Sequence, residues 1–201
     1  MESKLKRRVA VQTAAVDYFT LAPEQAQAAD SSSKQTSSEN NREEWIERIY
    51  APSYHIEKLK EEVLRAKRYN HALSAIMLDI DNFSKINEQY SHRVGDELLT
   101  VIVKIVRKSI RNVDIISRFS GDVFLIILPN TNKREAAELE ERIRQNIPVR
   151  TQRMEQLGKE VTATLSVAQC QPDENAAEFI QRIQTMLESG KKNSPNAVYS
   201  S

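Results

Sequence analysis

From residue 42 onward, apolar residues recur at intervals of three and four, the spacing that places side chains on one face of a helix. The first such series runs through Ile56, Leu59 and Val63 before a turn near Asn70. The same period returns in the segments 98–109, 136–147 and 179–187. The pattern therefore predicts four amphipathic helices.

Between these helices the apolar residues change to the patterns of strands. The run LSAIMLDI at 73–80 is nearly continuous and indicates a buried strand, whereas VTATLSVA at 161–168 alternates. The runs VDIISRF and DVFLIIL flank Ser120 and Gly121, and a glycine there suits the tight turn of a hairpin. The order helix, strand, helix, hairpin, helix, strand, helix predicts an α/β fold, with helices packed on a central mixed β-sheet.

The first 41 residues differ from the rest in composition. A basic start is followed by the polar run DSSSKQTSSENN, which is typical of a flexible segment. A weakly amphipathic helix over residues 1–29 that docks on a partner is the alternative. The sequence thus predicts a flexible or partly helical extension at 1–41 and one domain at 42–201, since 201 residues with 40% hydrophobic composition build one sizeable core.

Charge and hydropathy exclude several classes of partner. The chain carries 29 basic and 28 acidic residues, a net charge of +1, so no global field draws it to nucleic acid or to an anionic membrane. Its apolar runs are too short for membrane insertion, and its start lacks the apolar core of a signal peptide. We expect a cytoplasmic protein, and its single cysteine excludes an internal disulfide.

Three acids cluster in the predicted sheet. Asp79 and Asp81 end the buried strand, and Asp122 follows the hairpin turn. Such carboxylates can hold Mg²⁺, which takes few protein oxygens and completes its shell with water and phosphates. Alternatively, acids gather at strand ends because those ends meet water. The acids alone leave both interpretations open.

Five ordered motifs carry a resemblance to a known family. They are LDIDNFSKINEQYSHRVGDELL at 78–99, RNVD at 111–114, SGDVF at 120–124, VTATLSVA at 161–168 and LESGKKNSPNAV at 187–198. Together they resemble the bacterial GGDEF (diguanylate cyclase) family. The resemblance implies a ferredoxin-like palm, similar to that of nucleotidyl cyclases.

The resemblance also implies the positions of a nucleotide site. The metal positions fall on Asp79, Asp122 and the carbonyl of Ile80, and the GTP-binding positions fall on Phe83, Asn87, Asp96 and Lys191. Mg²⁺ is then the expected cofactor if GTP is bound. The alternative for Asn87 and Asp96 is an ordinary role as helix-terminus and turn residues around Gly95.

The catalytic signature departs from the family's Gly-Gly-Asp/Glu-Glu-Phe. Ser120 replaces the first glycine, and Val123 replaces the second acid with a side chain that can neither bind a metal nor accept a proton. Ser84 stands where the family has a phosphate-contacting lysine. Loss of one such electrostatic group costs a factor of about 10² to 10³ in rate, so we expect little or no cyclase activity.

A second site is retained. Arg111 and Asp114 match the family's Arg-x-x-Asp motif for the product cyclic di-GMP, and Arg142 matches the secondary arginine of that site. The guanidinium fork suits phosphates and the guanine edge. The alternative is a surface ion pair and a solvated helix charge.

The resemblance and its departures favour a regulatory module that binds cyclic di-GMP and signals to an unidentified downstream protein. The alternatives are a weakly active diguanylate cyclase that joins two GTP molecules and a GTP-binding allosteric domain. A homodimer is expected where ligand bridges two subunits.

Overall fold

The computed structural model describes residues 54–158, 160–193 and 196–200. The extension predicted at 1–41 lies outside these residues. The helices are α1 (Tyr54–Tyr69), α2 (Phe83–Tyr90), α3 (His92–Ser109), α4 (Lys133–Thr151) and α5 (Ala176–Asn193). The strands are β1 (Leu73–Ile80), β2 (Ile115–Ser120), β3 (Val123–Pro129), β4 (Ala163–Gln169) and β5 (Val198–Ser200). None of the helices in this part of the chain is long and apolar enough to span a bilayer.

The strands form one mixed sheet in the order β2-β3-β1-β4-β5. β1 lies at its centre and pairs antiparallel with β3 and β4, whereas β5 pairs parallel with β4. From β1 to β4 the chain follows the strand–helix–strand–strand–helix–strand order of a ferredoxin-like fold. The predicted fold class is therefore confirmed.

Helices cover both faces of the sheet, which explains why β1 is a continuous apolar run. Ile76, Leu78 and Ile80 pack in the core beneath α3 and α4, whereas Ala75 and Met77 pack in the core beneath α1 and α5. Because side chains alternate along a strand, Asp79 falls on the α1 and α5 face. The sheet thus places the carboxylate of Asp79 on the face that α5 covers.

Two elements lie outside the predicted pattern. The eight-residue α2 places Phe83, Ile86 and Tyr90 against the core at helical spacing, but two turns are too short for a sustained apolar period. The three-residue β5 is partly exposed and is held by pairing with β4. Both are short elements whose positions depend on tertiary contacts.

Ser91, between α2 and α3, has an unfavourable backbone. Its φ of 115° and ψ of 159° lie in a region that glycine adopts easily and serine does not. Its side chain makes no capping hydrogen bond. The serine therefore adds backbone strain that no side-chain capping bond offsets.

We expect Ser91→Gly to stabilise the fold by about 1 kcal/mol, since relief of roughly 1–3 kcal/mol of strain exceeds the entropic cost of glycine, about 0.5–1 kcal/mol. Thermal unfolding should show a rise in Tm of roughly 2–4 °C. The matched control is Asn130→Gly, because Asn130 also has positive φ but is a residue type that tolerates it. An equal rise in Tm in both variants would show that the gain does not come from strain at Ser91.

Candidate functional site

A cavity of about 980 Å³ opens at the C-terminal end of β1. Its walls come from β1, α2, the β2–β3 hairpin and the last turns of α5. Eight of the positions singled out from the sequence line it: Asp79, Phe83, Ser84, Asn87, Ser120, Asp122, Val123 and Lys191. Most of the separated motifs therefore meet at one place.

Asp79 is the central acid of this cavity. It is 9% exposed and forms an ion pair with Lys191 of α5. Burial, and then the charge of Asp122, raise the pKa of Asp79 to about 7, although Lys191 acts in the opposite direction. The two carboxylates therefore repel each other across the same cavity, and a cation between them would relieve that repulsion.

Asp81 does not join this pair. It is buried, and its carboxylate accepts hydrogen bonds from the hydroxyls of Thr162 and Thr164, both at 2.7 Å, and from the backbone N–H of Asn196 at 3.1 Å. These bonds tie the end of β1 to β4 and to the segment before β5. Of the three acids at the strand ends, Asp81 therefore uses its oxygens structurally, which leaves Asp79 and Asp122 as the candidate carboxylates for a metal.

The pair Asp79 and Asp122 fits Mg²⁺, which commonly binds one or two carboxylates and takes its remaining ligands from water and phosphates. Ile80 lies next to both, since its N–H donates to the carbonyl of Asp122 at 3.4 Å. Within the described residues, no group of three His, Cys, Asp or Glu side chains comes together. A cation here would have to displace Lys191 from Asp79.

Asn87 forms the opposite wall. Its Oδ1 is buried and has no hydrogen-bond partner among the described residues, which is an unfavourable state for an amide oxygen. It lies against Gly95, where an added Cβ would fall 1.9 Å from Oδ1, and Phe83 is near the same point. A ligand that donates a hydrogen bond would satisfy this oxygen.

Asp96, predicted to act with Asn87, does not line the cavity. It is exposed, and its backbone carbonyl accepts a hydrogen bond from Thr100 within α3. The structure thus places Asn87 in the lining of the cavity and Asp96 outside it.

The signature turn is a two-residue loop between β2 and β3. Gly121 has a φ of 49°, and its carbonyl accepts a 2.6 Å hydrogen bond from Arg118. Val123 packs against the core beneath α1 and α5. Its side chain therefore adds apolar surface to the cavity next to Asp79.

The second predicted site lies at the end of α3. The carboxylate of Asp114 accepts a 2.7 Å hydrogen bond from the backbone N–H of Arg111, and the N–H of Asp114 donates to the carbonyl of Arg111. Asp114 is 4% exposed, and burial raises its pKa above the ordinary value. Asp114 thus fixes the turn that presents the exposed Arg111.

Arg142 reaches this region from α4. Its guanidinium donates a 2.9 Å hydrogen bond to the carbonyl of Ser109, two residues before Arg111. The structure therefore brings the two exposed arginines to the same end of α3.

Sequence reasoning missed one wall of the large cavity. Gln184, Leu187, Glu188 and Lys191 all line it from α5. Their spacing of three and four residues is the helical period, so this face could have been found once Lys191 was chosen.

Comparison with known proteins agrees with the fold and the motifs. The family model described as "Diguanylate cyclase, GGDEF domain" matches residues 48–197. Diguanylate cyclase A of Treponema denticola is 33% identical over 129 residues, which are 63% of this chain and 34% of that protein. The matched segments span about a third or less of the curated relatives compared.

Solved structures show the same architecture. The active GGEEF domain of a diguanylate cyclase from Vibrio cholerae is 29% identical and superposes with a TM-score of 0.71, covering 76% of this chain and 97% of that one. The GGDEF domain of DgcB from Caulobacter crescentus, in complex with c-di-GMP, is 22% identical with a TM-score of 0.69, covering 74% and 89%. Because the family model matches well over half of its length, the chain belongs to the GGDEF (diguanylate cyclase) domain family.

Proposed function

We propose that this chain is a regulatory domain that binds cyclic di-GMP and does not synthesise it. The observation that carries the proposal is the contrast between its two sites. The catalytic cavity has Val123 and Ser84 where the family has charged groups, whereas the product site keeps Arg111, Asp114 and Arg142.

Catalysis would lack two electrostatic contributions. Val123 supplies hydrocarbon beside Asp79, and the short hydroxyl side chain of Ser84 supplies no positive charge toward a triphosphate. Preorganised charge is usually the largest single contribution to catalysis of this kind. Lys191, the cation nearest the acids, is paired with Asp79.

Binding of cyclic di-GMP uses a turn that is already formed. The Asp114 carboxylate holds the Arg111 backbone, and Arg142 is anchored on the carbonyl of Ser109. Two guanidinium groups at one end of α3 can contact the phosphates of the ligand without reorganisation of the backbone. The DgcB domain, whose structure contains c-di-GMP, has the same fold. A ligand shared between two subunits would give a homodimer, and a downstream protein would receive the signal.

Incubation of the chain with GTP and Mg²⁺, followed by chromatography, tests the catalytic half of the proposal. We expect no cyclic di-GMP from the wild-type chain. The double variant Ser84→Lys/Val123→Glu should produce cyclic di-GMP, because it restores a charged side chain at both of these cavity-lining positions. The matched control adds Asp79→Asn to the double variant and should abolish the product. Turnover by the wild-type chain would overturn this half of the proposal.

A GTP-binding domain without turnover is the second candidate, and the buried, unpartnered Oδ1 of Asn87 favours it. Guanine carries N–H donors that such an oxygen accepts. A ligand that binds the folded state raises the Tm, so a GTP-dependent rise that Asn87→Ala removes would support it.

A further inference from the structure

A second, smaller cavity lies between α3 and α4. Its volume is about 440 Å³, and it is lined from α3 by Val101, Lys104, Ile105, Lys108 and Ser109, and from α4 by Arg142, Asn146 and Arg150. We call it the α3–α4 groove. Four of its eight lining residues are cations, and no acid lines it.

This concentration of positive charge is local. The whole chain carries a net charge of only +1. Lys104, Lys108, Arg142 and Arg150 are all exposed, and in the described part of the chain none of them forms an ion pair with a carboxylate. Other arginines of the same helices, Arg93 and Arg134, do form such pairs. The groove therefore holds cations that remain available to an anion.

The spacing of the cations indicates an extended ligand. Lys104 and Lys108 are one helical turn apart, about 6 Å along α3, and Arg142 and Arg150 are about 12 Å apart along α4. A single phosphate cannot contact both ends of such an array, whereas a run of several phosphates can. Guanidinium and ammonium groups are the usual protein ligands of phosphate.

The lining also indicates which part of a ligand is recognised. It contains no aromatic ring on which a base could stack, and its apolar residues are limited to Val101 and Ile105. We infer that the α3–α4 groove binds a linear anion that carries several phosphate groups, at a site that adjoins the proposed cyclic di-GMP site and shares Arg142 with it. The anion is either an inorganic polyphosphate or the triphosphate tail of a nucleotide.

Calorimetry at low ionic strength with inorganic tripolyphosphate and, separately, with ATP tests the inference. We expect tripolyphosphate to bind, and orthophosphate to bind at least about tenfold more weakly because it reaches only part of the array. If ATP binds as tightly as tripolyphosphate, the triphosphate tail of a nucleotide is a sufficient ligand. If ATP binds more weakly than tripolyphosphate, the ligand is the free polyphosphate.

The variant Lys104→Ala/Arg150→Ala should weaken tripolyphosphate binding by about tenfold or more, with an unchanged Tm. It leaves intact Arg111 and Arg142, which are proposed to bind cyclic di-GMP, so a loss of tripolyphosphate binding with cyclic di-GMP binding retained would separate the groove from the product site. The matched control, Arg93→Ala/Arg134→Ala, removes the same charge from the same two helices at side chains that are each 89% exposed, and should bind normally. Absence of tripolyphosphate binding, or equal losses in the two double variants, would overturn the inference.

Discussion

Replacement of Arg111 by alanine is expected to weaken cyclic di-GMP binding by about tenfold to a hundredfold, the usual cost of losing a hydrogen-bonded charged group. The substitution removes only the guanidinium. The turn survives, because Asp114 is bonded to the backbone N–H of Arg111 rather than to its side chain. Calorimetry with the purified variant measures the loss of affinity directly.

Arg134→Ala is the control for this substitution. Arg134 is an exposed α4 arginine paired with Glu138, and its loss should leave the affinity for cyclic di-GMP unchanged. An Arg111→Ala variant that binds cyclic di-GMP as tightly as the wild type would contradict the assignment of Arg111 to the product site.

Glu140 is expected to make the stability of the fold fall as pH rises. Its side chain is fully buried on α4, and neither carboxyl oxygen has a hydrogen-bond partner among the described residues. Burial, together with the charge of Glu141, raises its pKa from 4.5 to about 9. Between these two values the folded chain keeps a proton that the unfolded chain releases. The free energy of unfolding should therefore decrease by up to about 1.4 kcal/mol per pH unit across that window.

The variant Glu140→Met tests this expectation. It replaces an unsatisfied carboxyl with an apolar side chain of similar length, so it should stabilise the fold at pH 7 by about 1–3 kcal/mol. Urea unfolding at several pH values should show that the gain grows from pH 5 to pH 9. The control Glu138→Met removes an exposed acid of the same helix and should preserve the wild-type pH profile. If the free energies of unfolding of wild type and Glu140→Met differed by the same amount at every pH, the folded chain would not retain a proton on Glu140.

The architecture could be predicted because its elements are long and their apolar residues regular. α3 buries seven residues on one face, and β1 is buried along its whole length, so their periods are visible in the sequence. α2 and β5 were not predicted because both are short, with eight and three residues, so neither presents a sustained apolar period. Their positions depend on neighbours that are distant in sequence.

The candidate site was predictable residue by residue only where a motif fixed the position. Asp79, Asn87 and Lys191 come together as expected. The acids alone do not distinguish Asp79 from Asp81, which only the family resemblance separates, because the structural role of Asp81 comes from Thr162 and Thr164, about 80 residues away. The α3–α4 groove could not be predicted for a similar reason, since its cations belong to two helices that only the fold brings together.

Calorimetric titration of the wild-type chain with cyclic di-GMP tests the central claim most directly. We expect saturable binding with a Kd in the micromolar range or below, at a site that is formed before the ligand arrives. Absence of binding at micromolar concentration would contradict it.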